Sequence, residues 1–109
     1  MKILKFGGTS VGSAQCIKKV ISIVREAQQN HGQIAVCVSA FAGVTDQLIA
    51  ITHKAAAGDE SYKMHLKSLQ DRHLNTLPGL LPPADQSPLL VRLKVWFNDL
   101  DDILHGIYL

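Results

Sequence analysis

The feature that most constrains this chain is Ile34-Ala35-Val36-Cys37-Val38, an unbroken apolar and mostly β-branched run between polar residues. The run does not alternate. A strand with this pattern has cover on both faces, which predicts a parallel sheet flanked by helices. A second short strand is predicted over Ile3 to Phe6, ending abruptly at Gly7-Gly8. Between them, Ser13 is placed to cap a helix reaching about Gln29. Its apolar positions Ile17, Val20, Ile21, Val24 and Ala27 share one face. Asn30-His31-Gly32 reads as its stop. Strand, helix and strand in this order make a βαβ unit, right-handed by default.

The remainder reads as helical. One helix carries Leu48, Ile51 and Ala55 and ends at Gly58. Another, capped by Asp59, carries Tyr62, Leu66, Leu69 and His73 and is closed by Leu77-Pro78-Gly79. Ser87-Pro88 predicts the start of a last helix, with a capping hydroxyl and proline at the first helical position. Its stripe is predicted as Leu89, Leu93, Trp96, Leu100, Ile103 and Ile107. Two strands are too few for an independent sheet. Together with the apolar residues at Leu109, this leads us to expect a chain cut before its fold is finished.

The 109 residues suffice for one small domain, and 47% hydrophobic content is a globular composition. A net charge of +2, with scattered Lys and Arg, gives no support for nucleic acid or an anionic membrane surface as a partner. No apolar run is long enough to span a bilayer, and Lys5 with the glycines interrupts any signal-peptide pattern. Cys16 and Cys37 have no neighbours at metal-ligand spacing and are expected as reduced thiols in a cytosolic core. The histidines His31, His53, His65, His73 and His105 form no metal or catalytic motif, and structural roles are expected for them. Asp99, Asp101 and Asp102 read as a solvated helix face, and Trp96 and Phe97 as core or helix-contact residues.

Two loops can carry chemistry. In Lys5-Phe6-Gly7-Gly8-Thr9-Ser10 a strand turns through glycines toward a helix. Free N–H groups at such a junction favour an anion, and glycine lets the backbone approach a phosphate closely. Thr9 and Ser10 add hydroxyls, and Lys5 adds an ammonium at the strand end. Phosphoryl transfer needs this kind of fixed positive charge and preorganised donors. The bland alternative is an ordinary turn beside a solvated lysine. The order of residues fits neither a P-loop nor the dinucleotide fingerprint. The second loop, Ser39 through Thr45, follows the other parallel strand and so opens onto the same sheet edge. Ser39 and Thr45 could hold a carboxylate there, or merely end a strand and cap a helix. Asp46 suits the helix dipole better than a catalytic role.

Lys5-Phe6-Gly7-Gly8-Thr9-Ser10-Val11 resembles the amino-terminal signature of aspartate kinases, and Val38-Ser39-Ala40-Phe41-Ala42-Gly43-Val44-Thr45 resembles their second loop. Leu104-His105-Gly106-Ile107 is similar to a stretch of bifunctional aspartokinase–homoserine dehydrogenases of the threonine-regulated kind. The resemblance implies the amino-terminal part of the amino-acid kinase fold, a three-layer α/β/α sandwich, with residues 1–109 as an incomplete portion of the catalytic domain. It implies transfer of the ATP γ-phosphoryl group to the side-chain carboxylate of L-aspartate, with Mg2+. This is the first step toward lysine, threonine and methionine, in a cytoplasmic and homo-oligomeric parent. By the same resemblance Lys5 is catalytic. Lys5, Gly7, Gly8, Thr9 and Ser10 bind ATP phosphates, and Ser39 and Thr45 bind aspartate. The family's substrate glutamate, adenine-gripping half and regulatory domains find no counterpart here, so these residues alone are expected to be inactive. The competing readings are another member of the amino-acid kinase superfamily and a noncatalytic helical module that binds a partner through its uncovered stripe.

Overall fold

The computed structural model describes all 109 residues as two compact units, Met1–Gly43 and Val44–Leu109. The first is the expected βαβ unit. Strand β1 (Lys2–Phe6) pairs in parallel with β2 (Ile34–Val38), in a register running from Lys2 opposite Ile34 to Phe6 opposite Val38. Helix α1 (Ala14–His31) makes the crossover. Its start follows from Ser13, whose extended backbone and hydroxyl make it the N-cap, with Oγ accepting from the Cys16 N–H at 3.2 Å. Its end follows from Gly32, which turns the chain at φ +70° while its N–H bonds the Gln28 carbonyl. Val20 and Ala27 are buried and Ile17 and Val24 half-buried, so most of the predicted face of α1 packs, whereas Ile21 of that face is exposed.

The expected cover on both faces of β2 is not met within this chain. Val36 is 43% and Val38 59% exposed, and Ile3 on β1 is also exposed. The sheet has two strands and α1 is the one helix of its unit, so much of the strands' apolar surface has nothing against it. The thiols are correspondingly not in a core: Cys37 is exposed on β2 and Cys16 is half-buried, both free.

The second unit is helical. Helices α2 (Val44–Ala56), α3 (Tyr62–Leu74) and α4 (Pro83–Tyr108) pack on one another, with a short 3-10 turn at Leu77–Gly79 before α4. Most of the chain's buried residues sit here: Val44, Ile51, Ala55, Tyr62, Leu66, Leu69, Leu77 and Leu104. Gly58, at φ +74°, turns the chain out of α2, and Asp59 then prepares α3. The Asp59 carboxylate accepts from the Ser61 N–H at 2.9 Å and lies 3.7 Å from the Lys54 ammonium. The Ser61 bonds above all, and Lys54 less, hold this carboxyl below its usual range. The Tyr62 hydroxyl is buried without a partner, while its ring lies 5.5 Å from that of Tyr108. The Tyr108 hydroxyl donates to Glu60 at 3.2 Å. Desolvation and then Glu60 raise its pKa.

Helix α4 departs from expectation twice. It begins at Pro83, ahead of Ser87-Pro88, because two prolines in succession set its start. Pro82 is driven into extended backbone (ψ 156°) by the proline after it, and Pro83 occupies the first helical position, where a missing N–H costs nothing. Pro88 therefore lies inside the helix, leaving the Ala84 carbonyl without its usual donor. The packed face is also rotated. Leu104 is 2% exposed and Leu93, Phe97, Leu100 and Tyr108 are half-buried, whereas Trp96, Ile103 and Ile107 of the predicted stripe face solvent. Phe97 meets the His73 ring edge-on at 5.4 Å, and a His73 ring nitrogen lies 2.8 Å from the Leu69 carbonyl oxygen, a structural role as expected.

Two outcomes follow. Leu104→Ala, which opens a cavity among the helices, lowers stability by about 2–5 kcal/mol, whereas Trp96→Ala stays within about 0.5 kcal/mol; denaturant titration monitored by circular dichroism separates the two. Because the Asp59 carboxyl is held low in the folded chain, its contribution is present at neutral pH and lost as pH falls through that depressed value. The melting-temperature gap between the native chain and Asp59→Ala therefore narrows on acidification, and a gap that widened instead would contradict the assignment.

Candidate functional site

Parallel pairing sends both strand ends to one edge of the sheet, and the two loops leave from there. The ladder runs on by one bond past the strands, with the Ser39 N–H donating to the Phe6 carbonyl at 3.0 Å. The first loop then folds tightly, Ser10 N–H to Gly7 carbonyl at 3.1 Å and Gly12 N–H to Thr9 carbonyl at 3.5 Å, before Ser13 starts α1.

Gly8 joins the two loops. A Cβ placed there would stand 3.1 Å from the Ala40 carbonyl oxygen and 3.4 Å from the Ala42 Cα. Both are backbone atoms, so a larger residue would have to displace the second loop. At Gly12 a Cβ would meet the Gly8 carbonyl at 3.3 Å and the Ala42 Cβ at 3.5 Å. At Gly7, by contrast, a Cβ would meet nothing within 4 Å. Val11, just after the turn, is buried at 6% exposure.

The candidate residues distribute as follows. Leu4 and Phe6 line clefts against α1, so strand alternation puts Lys5 on the opposite face, exposed and opposite Cys37. Gly7, Gly8, Thr9 and Ser10 occupy the turn, with Thr9 exposed and Ser10 half-buried. Ser39 is exposed at the end of β2. These lie together in the first unit. Thr45 belongs to the second, one residue inside α2 rather than at its cap, so it is exposed among the free N–H groups of the first turn. Gly43, at φ +81°, makes the bend into that turn.

The loops offer N–H groups, hydroxyls and one ammonium, and no carboxylate. Donors of this kind suit an anion. No cluster of His, Cys, Asp or Glu in the chain could hold a metal ion. The contact of Gly8 with Ala40 and Ala42 is the part that sequence reading missed. Its one signal is the smallness of Gly8, Gly12, Ala40 and Ala42, which permits close backbone approach without revealing the partner. The helical unit holds a separate cleft of about 420 Å³ between α3 and α4, with Lys63 and Lys67 on one wall and Asp101, Asp102 and His105 on the other. It includes no residue of either loop.

Comparison with known proteins identifies the family. Residues 1–86 match the model of the amino acid kinase family. The chain is 35% identical over 105 residues to the chloroplastic bifunctional aspartokinase/homoserine dehydrogenase 1 of Arabidopsis thaliana, covering 96% of this chain and 11% of that protein. It is 36% identical over 107 residues to the corresponding Daucus carota protein, covering 98% and 11%. An aspartokinase of Rickettsia bellii is 39% identical over 62 residues, covering 57% and 15%. The chain thus spans about a tenth of the length of the bifunctional relatives. With a family match across most of its length and aspartokinases among its relatives, this chain belongs to the amino acid kinase family.

Proposed function

We propose that these residues form part of the catalytic domain of an aspartokinase and present the loops that receive the ATP phosphates and L-aspartate. The observation that carries this is the close contact of Gly8 with Ala40 and Ala42, which unites two donor-rich loops at one sheet edge. In this reading the Gly7 and Gly8 N–H groups hold phosphate oxygens, with the Thr9 and Ser10 hydroxyls beside them. The Lys5 ammonium offsets the charge that gathers on the transferring phosphoryl group. Ser39 and Thr45 orient the aspartate so that its side-chain carboxylate attacks in line. Magnesium would arrive with the nucleotide, held by phosphate oxygens and water, since the loops carry no carboxylate for it.

The route to lysine, threonine and methionine, a cytoplasmic setting and a homo-oligomeric parent belong to the same proposal and rest on the resemblance. No helix of the chain is long and apolar enough to cross a membrane. A noncatalytic helical module is the second reading, favoured by the exposed apolar residues of α4.

Aspartate-dependent release of ADP tests the first reading. The 109-residue chain alone is expected to give none. A polypeptide continuing it to the length of its relatives should turn over with aspartate in preference to glutamate, acetylglutamate or carbamate. In that longer protein Lys5→Met lowers kcat by roughly 10²- to 10³-fold with a smaller change in KM, the pattern of a group acting mainly in the transition state. Full kcat in the Lys5→Met enzyme would remove Lys5 from the chemistry.

A further inference from the structure

The rotation of α4 leaves an outward face that mixes apolar and charged side chains in a definite order. Val91 is 61%, Trp96 59% and Ile103 62% exposed, and Val95 is also exposed. Arg92 and Asp99 are exposed between them. At 100° per residue, Pro88, Arg92, Val95, Trp96, Asp99 and Ile103 fall on one side of the helix, opposite Leu93, Phe97 and Leu104. Read in either direction this face is complementary to itself. Two such helices laid antiparallel and centred between Val95 and Trp96 place Arg92 of each opposite Asp99 of the other, Val95 opposite Trp96, and Pro88 opposite Ile103. A parallel arrangement would instead set Arg92 against Arg92 and Asp99 against Asp99.

We infer that the outward face of α4 is a docking surface for a second copy of this chain, in an antiparallel helix pair with Arg92 and Asp99 forming two symmetry-related ion pairs around a Val95–Trp96 centre. The charges select orientation and register, and the apolar residues supply the attraction. Six seam residues are far fewer than the roughly 20–30 a side of a standard interface, so the association is weak and concentration dependent. This inference is independent of the proposed kinase activity, since it uses none of the loop residues.

Trp96 is the chain's single tryptophan and therefore reports on the contact directly. Sedimentation equilibrium and tryptophan emission, followed together over a concentration series, should show a monomer–dimer equilibrium with emission shifting to the blue as dimer forms. Arg92→Glu and Asp99→Lys should each weaken dimerisation about tenfold, and the double variant should return it to near the native value. Circular dichroism melts of all three, taken dilute enough that the native chain is monomeric, should match it, because both residues are exposed. A chain that remains monomeric throughout, as it would if this face met a different protein or another stretch of polypeptide, overturns the inference. So does a dimer indifferent to the two single reversals, which would mark unspecific apolar association.

Discussion

Parallel pairing of β1 with β2 is the constraint from which the rest of the site follows. In an antiparallel pair the loops after Phe6 and Val38 would leave from opposite ends. The register of Phe6 with Val38 puts them side by side, and the Ser39 N–H bond to the Phe6 carbonyl carries the pairing into the second loop. Gly8 then lets the two backbones approach so closely that a Cβ would press on the Ala40 carbonyl at 3.1 Å. What results is a glycine turn with two hydroxyl-bearing residues, seated against the second loop, with exposed Lys5 on the adjoining strand. In the proposed function no single one of these groups carries the anion. Their convergence makes the difference, because the geometry is already set before a ligand arrives.

The distribution of buried side chains suits this arrangement. Val11, Val20 and Ala27 are the buried residues of the βαβ unit, against a longer series in the helices. The donor loops therefore ride on the more thinly packed unit, whose strands keep Val36 and Val38 exposed. Local opening is easiest where buried apolar contacts are few, and loops that admit a ligand are commonly drawn from such regions. The helical unit concentrates apolar burial around Tyr62, Leu66, Leu69 and Leu104 and accepts an unpaired Tyr62 hydroxyl within it.

Much of this was legible in the residues. The unbroken run at Ile34–Val38 predicts a parallel strand, and Ser13 and Gly32 mark the ends of α1, because in each case the cause is local. The tight turn at Gly7 to Ser10 is local as well. Failures occur where a choice depends on the partner. Both Trp96 with Ile103 and Phe97 with Leu104 make an apolar pair at helical spacing, one residue apart and 100° around the helix. Which pair is buried depends on where α2 and α3 lie, and that is not written in α4. The start of α4 differs from expectation for another reason: Ser87-Pro88 and Pro82-Pro83 both carry start signals, and the earlier one prevails. The contact of Gly8 with Ala40 could not be read at all, because small residues permit an approach without naming what approaches.

The central claim is that these two loops form one anion-accepting surface. Titrating the isotopically labelled chain with tripolyphosphate, while following its backbone amide resonances by NMR, tests that claim most directly. The account predicts that the amides of Gly7, Gly8, Thr9 and Ser10 move together with those of Ala40, Phe41 and Ala42, along one saturable curve that weakens in Lys5→Ala. Resonances that stay fixed, or that move only around Lys63 and Lys67, would contradict it.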